Sequence, residues 1–176
     1  MSDGCLDDEE RKKLNEIIEM YLNDYSKLLN ISREKLIEIS KKEYGTNYEF
    51  LSEKNLIKAL KKPTNHLIVV YYKNNIAGFC YFKEKEKYIY LEEIHVKEEY
   101  RKKHIGSKLL NIVEDFAKRK KAKKIMLESI LSAVNFYIKN GYKIEKKDND
   151  PNYVIMSKDI ENEKSNKKKQ LLKIKL

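Results

Sequence analysis

A basic, glycine-containing segment from Glu99 to Leu110, EYRKKHIGSKLL, has the residue types needed to bind a phosphate group. It lies where a strand pattern gives way to a helix pattern, and the first turn of a helix presents free backbone N–H groups at the positive end of its dipole. Gly106 allows the backbone to approach a ligand closely, while Arg101, Lys102 and Lys103 add positive charge. Taken alone, the segment fits a basic helix start with a packing glycine equally well.

A second segment, Ala133 to Tyr142, follows one strand later, and together the two segments resemble the GCN5-related N-acetyltransferase (GNAT) superfamily. The acetyl-CoA motif of the family is Gln or Arg, two residues, Gly, one residue, then Gly or Ala. Arg101 and Gly106 match its ends, whereas His104 stands at the first Gly position. The second family motif is an aliphatic residue, Phe-Tyr, a basic residue and Gly-Phe or Gly-Tyr, and it is matched by Ala133, Phe136, Tyr137, Lys139, Gly141 and Tyr142. Ile130 replaces an Asn that is common in the family.

This resemblance implies acetyl-CoA as cosubstrate, with no metal. The pantetheine arm would pair with the backbone that follows Glu93, and the same backbone can polarise the thioester carbonyl. The residues assigned to acetyl-CoA are Ile94, His95, Val96, Arg101, Lys102, Lys103, His104, Ile105, Gly106, Ser107 and Asn135. Tyr137 matches the family tyrosine that protonates the departing CoA thiolate, although a packing role stays open in a chain with 13 tyrosines.

An ammonium acceptor must lose a proton before it attacks, so a carboxylate is expected near the acceptor. Glu92 and Glu93 lie in the strand pattern YIYLEEIHV, and alternation along a strand predicts that only one of them faces the acceptor. We predict Glu92, because family members with a base in this strand often place it two residues before the pantetheine-binding segment. Glu93, a water, or a structural role for both carboxylates stays open. His95 shares the Glu93 side, where a structural role is favoured over that of a base.

The elements that must position these residues predict an α/β (α+β) fold of the GNAT type. We expect a mixed, mostly antiparallel central sheet flanked by helices, with a βαβ acetyl-CoA-binding unit. The predicted helices are Glu10–Leu29, Arg33–Tyr44, Glu53–Leu60, a helix beginning at Ile105, and Ser132–Asn140. The predicted strands are 66–72, 76–82, Tyr88–Val96, 123–129, Tyr142–Lys146 and Tyr153–Lys158.

The distribution of charge indicates the domain organisation. The 176 residues carry a net charge of +10, but the first ten residues hold five acidic residues and no basic one, and the basic excess lies around the phosphate-binding segment and in the tail. We expect an acidic, disordered leader (1–9), a single GNAT domain (10–160) and a basic tail (161–176) that is disordered, with a docking role open. Two cysteines, Cys5 and Cys80, predict neither a disulfide framework nor a metal site, and His66 carries no motif.

These observations predict direct acetyl transfer from acetyl-CoA to a primary amine, with a small acceptor such as a polyamine or an amino-sugar phosphate favoured over a protein. A net positive enzyme steers cationic polyamines poorly, although local acidic residues can override the average field. The alternatives are a non-catalytic CoA-binding module and a basic nucleic-acid-binding protein, but no nucleic-acid partner is expected. Without a long apolar run or a signal peptide, we expect no membrane association and a cytoplasmic location, with a nuclear one left open. A homodimer also stays open.

Overall fold

The computed structural model describes residues 6–161. The helices are α1 (Asp8–Leu29), α2 (Arg33–Tyr44), α3 (Glu53–Leu60), α4 (Ile105–Arg119) and α5 (Val134–Lys139), with 3₁₀ turns at Glu49–Leu51, Glu98–Tyr100 and Leu131–Ala133. The strands are β1 (Asn65–Tyr72), β2 (Asn75–Glu84), β3 (Tyr88–Val96), β4 (Lys124–Ile130), β5 (Lys143–Lys147) and β6 (Tyr153–Asp159). The predicted leader as far as residue 5, and the predicted tail from residue 162, lie outside the described residues. Within residues 6–161, no helix is both long and apolar enough to cross a membrane.

The first helix begins earlier than its hydrophobic pattern predicts. Asp7 is the N-cap, and it forms a reciprocal capping box in which Glu10 N–H donates to Asp7 Oδ1 at 2.8 Å and Asp7 N–H donates to Glu10 Oε2 at 3.0 Å. Asp8 and Glu9 occupy the first turn, where the helix dipole favours negative charge. The last residues of the predicted leader are therefore part of α1, and the predicted start at Glu10 is two residues late.

The sheet has the order β1-β2-β3-β4-β6-β5, and every neighbouring pair is antiparallel except β3 and β4. The parallel pair is joined through α4, as the predicted βαβ unit requires, so the predicted fold class is confirmed. The β1–β2 connection is a tight turn with Lys73 and Asn74 at positive φ values of 47° and 66°, which suits a two-residue hairpin. Strand β5 is shifted by one residue from the predicted Tyr142–Lys146, because Tyr142 is buried beside α5 instead of pairing.

The sheet separates two apolar clusters. One face packs on α4 and α5, and its buried members include Leu109, Leu110, Val113, Ile125 and Met156. The opposite face packs on α1, α2 and α3 through a set that includes Ile17, Tyr21, Phe50, Leu56, Phe79 and Tyr81. The N-terminal helices therefore cover one side of the sheet, and the helices that follow the predicted phosphate-binding segment cover the other.

Strands β3 and β4 separate part of the way along their length. They pair only where Tyr88–Tyr90 meets Lys124–Met126. Beyond this point β3 continues to pair with β2 as far as Val96, and β4 continues to pair with β6 as far as Ile130. Among residues 6–161, the second half of β3 consequently has no strand partner on its β4 side. This opening in the sheet is where the predicted site residues converge.

Candidate active site

The β3 backbone presents its free hydrogen-bonding groups at the opening. Lys97 N–H donates to the carbonyl of Ala77 in β2 at 2.8 Å, and a Cβ added to Gly78 would lie 2.7 Å from the carbonyl oxygen of His95. Backbone groups alternate in direction along an antiparallel strand. His95 therefore directs its backbone to β2, while Ile94 and Val96 direct theirs into the opening. Of the three residues predicted to pair with pantetheine, Ile94 and Val96 direct backbone groups into the opening, whereas the backbone groups of His95 pair with β2.

The loop that follows β3 holds backbone N–H groups in a conformation suited to an anion. Lys102 and His104 both have positive φ, at 62° and 60°, and α4 begins at Ile105 with no side-chain cap on its first turn. The first N–H groups of α4 are thus free to bind a ligand. The left-handed conformation of His104 explains why the family motif has glycine at this position. The side chain of His104 is exposed, whereas that of Ile105 is in the core, so only the backbone of Ile105 reaches the site.

Three basic side chains surround this loop. Arg101 donates from Nε to the carbonyl of Val96 at 3.2 Å, so it crosses the end of β3. Lys103 lies over the ring of Tyr72, with Nζ 5.2 Å from the centroid, and Lys102 is exposed. The predicted basic residues are thus grouped around free backbone donors, which is the arrangement that a pyrophosphate requires.

Gly106 is required by packing as well as by any ligand. A Cβ at this position would lie 2.9 Å from Cζ of Phe136, so the ring of Phe136 in α5 fills the space that a side chain would occupy. This contact holds the start of α4 against α5. The side chains of Ser107 and Asn135, both assigned to acetyl-CoA, are half-buried and exposed respectively, and neither forms a hydrogen bond within residues 6–161.

Tyr137 lies at the opening on the α5 side. Its ring is buried against Phe136 and Tyr142, with centroids 5.1 Å and 5.7 Å away. Burial raises the pKa of the Tyr137 hydroxyl, and the charge of the Glu93 carboxylate raises it further. This hydroxyl forms no hydrogen bond within the described part of the chain. Tyr137 therefore offers a neutral phenol whose proton is free to be donated at the opening.

A β-bulge changes the expected directions of Glu92 and Glu93. Tyr81 pairs with Glu93 and the next residue of β2 pairs with Leu91, so Glu92 is an extra residue in β3. Both carboxylates consequently lie on the side of the sheet that packs on the N-terminal helices. The strand alternation from which we predicted that only one of them faces the acceptor is interrupted here, because a bulge resets it.

The two carboxylates have different partners. Glu92 pairs with Lys83 at 2.9 Å, and Lys83 also binds Glu49 at 2.8 Å. Burial raises the pKa of Glu92, although Lys83 opposes this effect. Glu93 instead bonds to His95 and accepts a hydrogen bond from Tyr25 of α1 at 3.2 Å. Of the two carboxylates, Glu93 is the one whose charge raises the pKa of Tyr137.

His95 is buried between two carboxylates. Its Nδ1 lies 2.7 Å from Asp24 Oδ2 of α1, and its Nε2 lies 2.7 Å from Glu93 Oε2. Burial lowers the pKa of His95, but the hydrogen bonds to Asp24 and Glu93 outweigh this and raise it to about 9. Sequence reasoning missed Asp24 and Tyr25. The apolar stripe of α1 indicates that Tyr25 faces inward, but nothing in the sequence pairs α1 with β3.

Two other residues considered from the sequence have packing roles. Cys80 is buried in the same apolar cluster as Tyr137, and burial raises its pKa to about 12, in keeping with the packing role expected for it. His66 is the second residue of β1 and stacks on Phe82, with Nε2 3.7 Å from a carboxylate oxygen of Glu84. Within residues 6–161, neither side chain forms a hydrogen bond or an ion pair with Tyr137 or Glu93.

Four carboxylates form an acidic rim beside the opening: Glu43 at the end of α2, Glu128 in β4, and Asp148 and Asp150 between β5 and β6. Burial raises the pKa of Glu128, and the neighbouring carboxylates of the rim raise it further. Tyr153 links the rim to the site, because its pKa is raised by burial and then by Asp150, Glu93, Glu43 and Glu128. Within residues 6–161, no salt bridge neutralises any member of the acidic rim.

The sequence matches one protein family over most of the elements that form this site. The family is described as the acetyltransferase (GNAT) family, and the match spans residues 33–142, from the start of α2 to the residue before β5. No curated protein is detectably similar to the chain.

Solved structures with the same fold include three acetyltransferases. The PaiA N-acetyltransferase from Thermoplasma acidophilum, in complex with coenzyme A, is 24% identical with a TM-score of 0.69 over 85% of this chain and 94% of that one. Tetrahymena GCN5 is 13% identical with a TM-score of 0.61, covering 92% of this chain and 93% of that chain. An aminoglycoside 6′-N-acetyltransferase complexed with coenzyme A is 17% identical with a TM-score of 0.55, over 73% and 90% of the two chains. At these identities the likeness establishes the fold.

Proposed function

The chain belongs to the GNAT family of acetyltransferases, and we propose that it transfers the acetyl group of acetyl-CoA to a primary amine of a small polycationic acceptor of the polyamine class. The single observation that carries the choice of acceptor is the acidic rim, whose carboxylates lack salt-bridge partners within the described residues. A ligand with several ammonium groups would place one at the opening and another at the rim.

Acetyl-CoA fits the groups available at the opening. Its pyrophosphate would bind the free N–H groups at the start of α4, with Arg101, Lys102 and Lys103 supplying positive charge. The pantetheine arm would pair with the backbone of Ile94 and Val96, as an additional strand pairs with a sheet edge. The same N–H groups would stabilise negative charge on the thioester oxygen during the reaction.

The chemistry follows from these positions. The acceptor ammonium loses a proton to Glu93, directly or through a water, and the free amine attacks the thioester carbon to form the C–N bond. When the C–S bond breaks, the electron pair moves to sulfur, Tyr137 protonates the thiolate, and the new amide nitrogen releases its second proton to solvent. Glu93 also returns its proton to solvent, and solvent restores the proton of Tyr137, so one proton is released in total. Glu93 replaces Glu92 as our proposed base, because Lys83 already holds the Glu92 carboxylate.

Local charge favours a polyamine over an amino-sugar phosphate. The protein has a net charge of +10, yet within residues 6–161 Glu43, Glu128 and Asp148 form no salt bridge, and Glu93 at the opening is paired only with His95. Charges separated by more than about 8 Å are largely screened at physiological salt, so the local carboxylates decide which acceptor binds. A phosphate dianion beside them would be repelled, whereas a second ammonium would be attracted.

The test is release of free CoA thiol from acetyl-CoA by the purified protein. Spermidine, glucosamine 6-phosphate, a lysine peptide and a monoamine of the same chain length as spermidine are offered separately. We expect turnover with spermidine, and we expect Glu128→Gln to raise its KM by about fivefold while leaving that of the monoamine within about twofold. Turnover restricted to glucosamine 6-phosphate or the lysine peptide would overturn the proposed acceptor class, and absence of thiol release with every amine would overturn the proposed activity.

A further inference from the structure

The acceptor side of the opening contains a buried chain of charged groups that reaches from α1 to β3. Asp24 Oδ2 bonds to Nδ1 of His95, and Nε2 of His95 bonds to Oε2 of Glu93, each at 2.7 Å. Only 7% of the His95 side chain and 10% of the Glu93 side chain are exposed, whereas 33% of Asp24 is exposed. The imidazole is therefore held between a carboxylate near solvent and a carboxylate at the opening.

The contacts of Glu93 fix the direction of its second oxygen. Tyr25 donates to Oε2, the oxygen that already binds His95, at 3.2 Å. Oε1 forms no hydrogen bond within residues 6–161. It is also not one of the fully buried polar atoms that lack a partner, so it keeps some access to solvent. Glu93 thus has one oxygen held by α1 and His95 and one oxygen free for a ligand at the opening.

We propose that Asp24 and His95 are positioning residues: Asp24 keeps His95 as an imidazolium, and the imidazolium holds Glu93 with Oε1 directed at the acceptor ammonium. The assignment rests on the proposed function for the identity of the acceptor, but the clamp itself, formed by Asp24, His95 and Glu93, rests on the contacts alone. Its consequence is that the charge of the acceptor site does not change across neutral pH, because Asp24 keeps the imidazole protonated there.

Among the described residues around His95, no other group could take the place of Asp24 in stabilising the protonated imidazole. From α1, Tyr21 and Tyr25 contact the imidazole edge-on, with centroids 5.9 Å and 5.7 Å away. From β2, the ring of Phe79 stacks on it at 5.0 Å. Burial raises the pKa of both tyrosine hydroxyls, so they stay neutral.

The remaining charged group that faces the clamp is Arg101, which reaches only the outer side of Asp24, with Nη2 3.8 Å from Oδ1. Asp24 is therefore the one carboxylate besides Glu93 that holds the proton on His95 among the described contacts. Without Asp24, burial would favour the neutral imidazole, because moving a charged group out of water is costly.

The experiment compares wild type with Asp24→Asn, which keeps the side-chain shape and removes the charge. The titration of the three histidines is followed by NMR on histidine-labelled protein, with His66 and His104 as internal references. We expect the variant to lower the pKa of His95 by about one unit or more. Glu19→Gln on α1 is the matched control, because it removes one carboxylate that pairs with Arg33 at 2.7 Å, away from His95.

In a kinetic experiment, the acceptor KM of wild type and of Asp24→Asn is measured from about pH 6 to about pH 8.5. This range should contain the lowered pKa of His95 in the variant. At the acid end Asp24→Asn leaves the Glu93 charge balanced by the imidazolium, so we expect the variant to have an acceptor KM about fivefold above wild type. As His95 loses its second proton, its Nε2–H still donates to Glu93 while the positive charge that offsets Glu93 disappears, so the ratio of the two KM values should fall toward one. A purely structural role for Asp24 would give a ratio that does not change with pH.

An unshifted His95 titration, or a KM ratio that is constant with pH, would overturn the clamp. Glu93→Gln provides a second variant, in which the acceptor KM should rise at every pH. The NMR measurement needs no acceptor, so the two proposals fail separately. A wrong acceptor class gives no turnover of spermidine while Asp24→Asn still shifts His95, whereas a wrong clamp gives an unshifted His95 in a protein that turns over spermidine.

Discussion

The buried His95 should make the stability of the protein depend on pH in a defined direction. Asp24 and Glu93 raise the pKa of His95 to about 9 in the folded state, against about 6.5 in the unfolded chain. Between these values the folded state binds one more proton than the unfolded state. The free energy of unfolding therefore decreases as pH rises, because the contribution is fully present below about pH 6.5 and is lost as pH passes through about 9.

The magnitude follows from the difference between the two pKa values. One pKa unit corresponds to about 1.4 kcal/mol, so the protonation of His95 contributes about 3 kcal/mol to stability at acid pH. The imidazole is almost fully buried, with 7% of its side chain exposed, so solvent screens little of this energy. In a small domain with a total stability of about 5–15 kcal/mol, a loss of this size is readily measured.

The assay is urea unfolding of wild type, His95→Gln and His66→Gln at several pH values between about 6 and about 9. His95→Gln should be less stable at every pH, because two carboxylates lose their cation, but it should lack the decline that His95 causes in wild type. His66→Gln, which removes a histidine outside the clamp, should keep that decline. Parallel curves for wild type and His95→Gln, within about 0.5 kcal/mol across the range, would refute the reasoning.

Three further predictions concern the acetyl-CoA side of the site. Tyr137→Phe should lower kcat by about a hundredfold with little change in acetyl-CoA binding. The control Tyr142→Phe removes a buried hydroxyl that has no partner among the described residues, so it should leave kcat unchanged and be at least as stable as wild type. Similar kcat values in both variants would exclude Tyr137 as the acid. Gly106→Ala should cost about 1 kcal/mol in urea unfolding and raise the acetyl-CoA KM, and Phe136→Leu should relieve most of that cost if the clash with this ring is its cause. His104→Gly should keep the acetyl-CoA Kd within about twofold by calorimetry, since backbone N–H groups form the site, and a tenfold weakening would show instead that the imidazole binds the cofactor.

The sequence carried more information about the acetyl-CoA side than about the acceptor side. The interval from Arg101 to Gly106 and the run that contains Phe136 and Tyr137 are local, so their spacing could be recognised before any fold was known. Their elements also follow each other directly in the chain as β3, α4, β4 and α5. The acceptor side instead joins α1 to β3, as in the pair of Asp24 and His95, and no local pattern reports a contact between residues so far apart in sequence.

The element pattern, the family and the position of the loop proposed to bind phosphate were thus determined by the sequence itself, because periodicity and motif spacing are properties of short stretches of chain. The tertiary structure decided which groups are free to act. The bulge at Glu92 put both carboxylates on one side of the sheet, and the divergence of β3 from β4 left Ile94 and Val96 without a partner strand on that side within the described residues. Packing of α1 on β3 placed Asp24 beside His95, so the imidazole lies buried between two carboxylates. Each of these outcomes depends on register and packing between distant segments, which no single segment encodes.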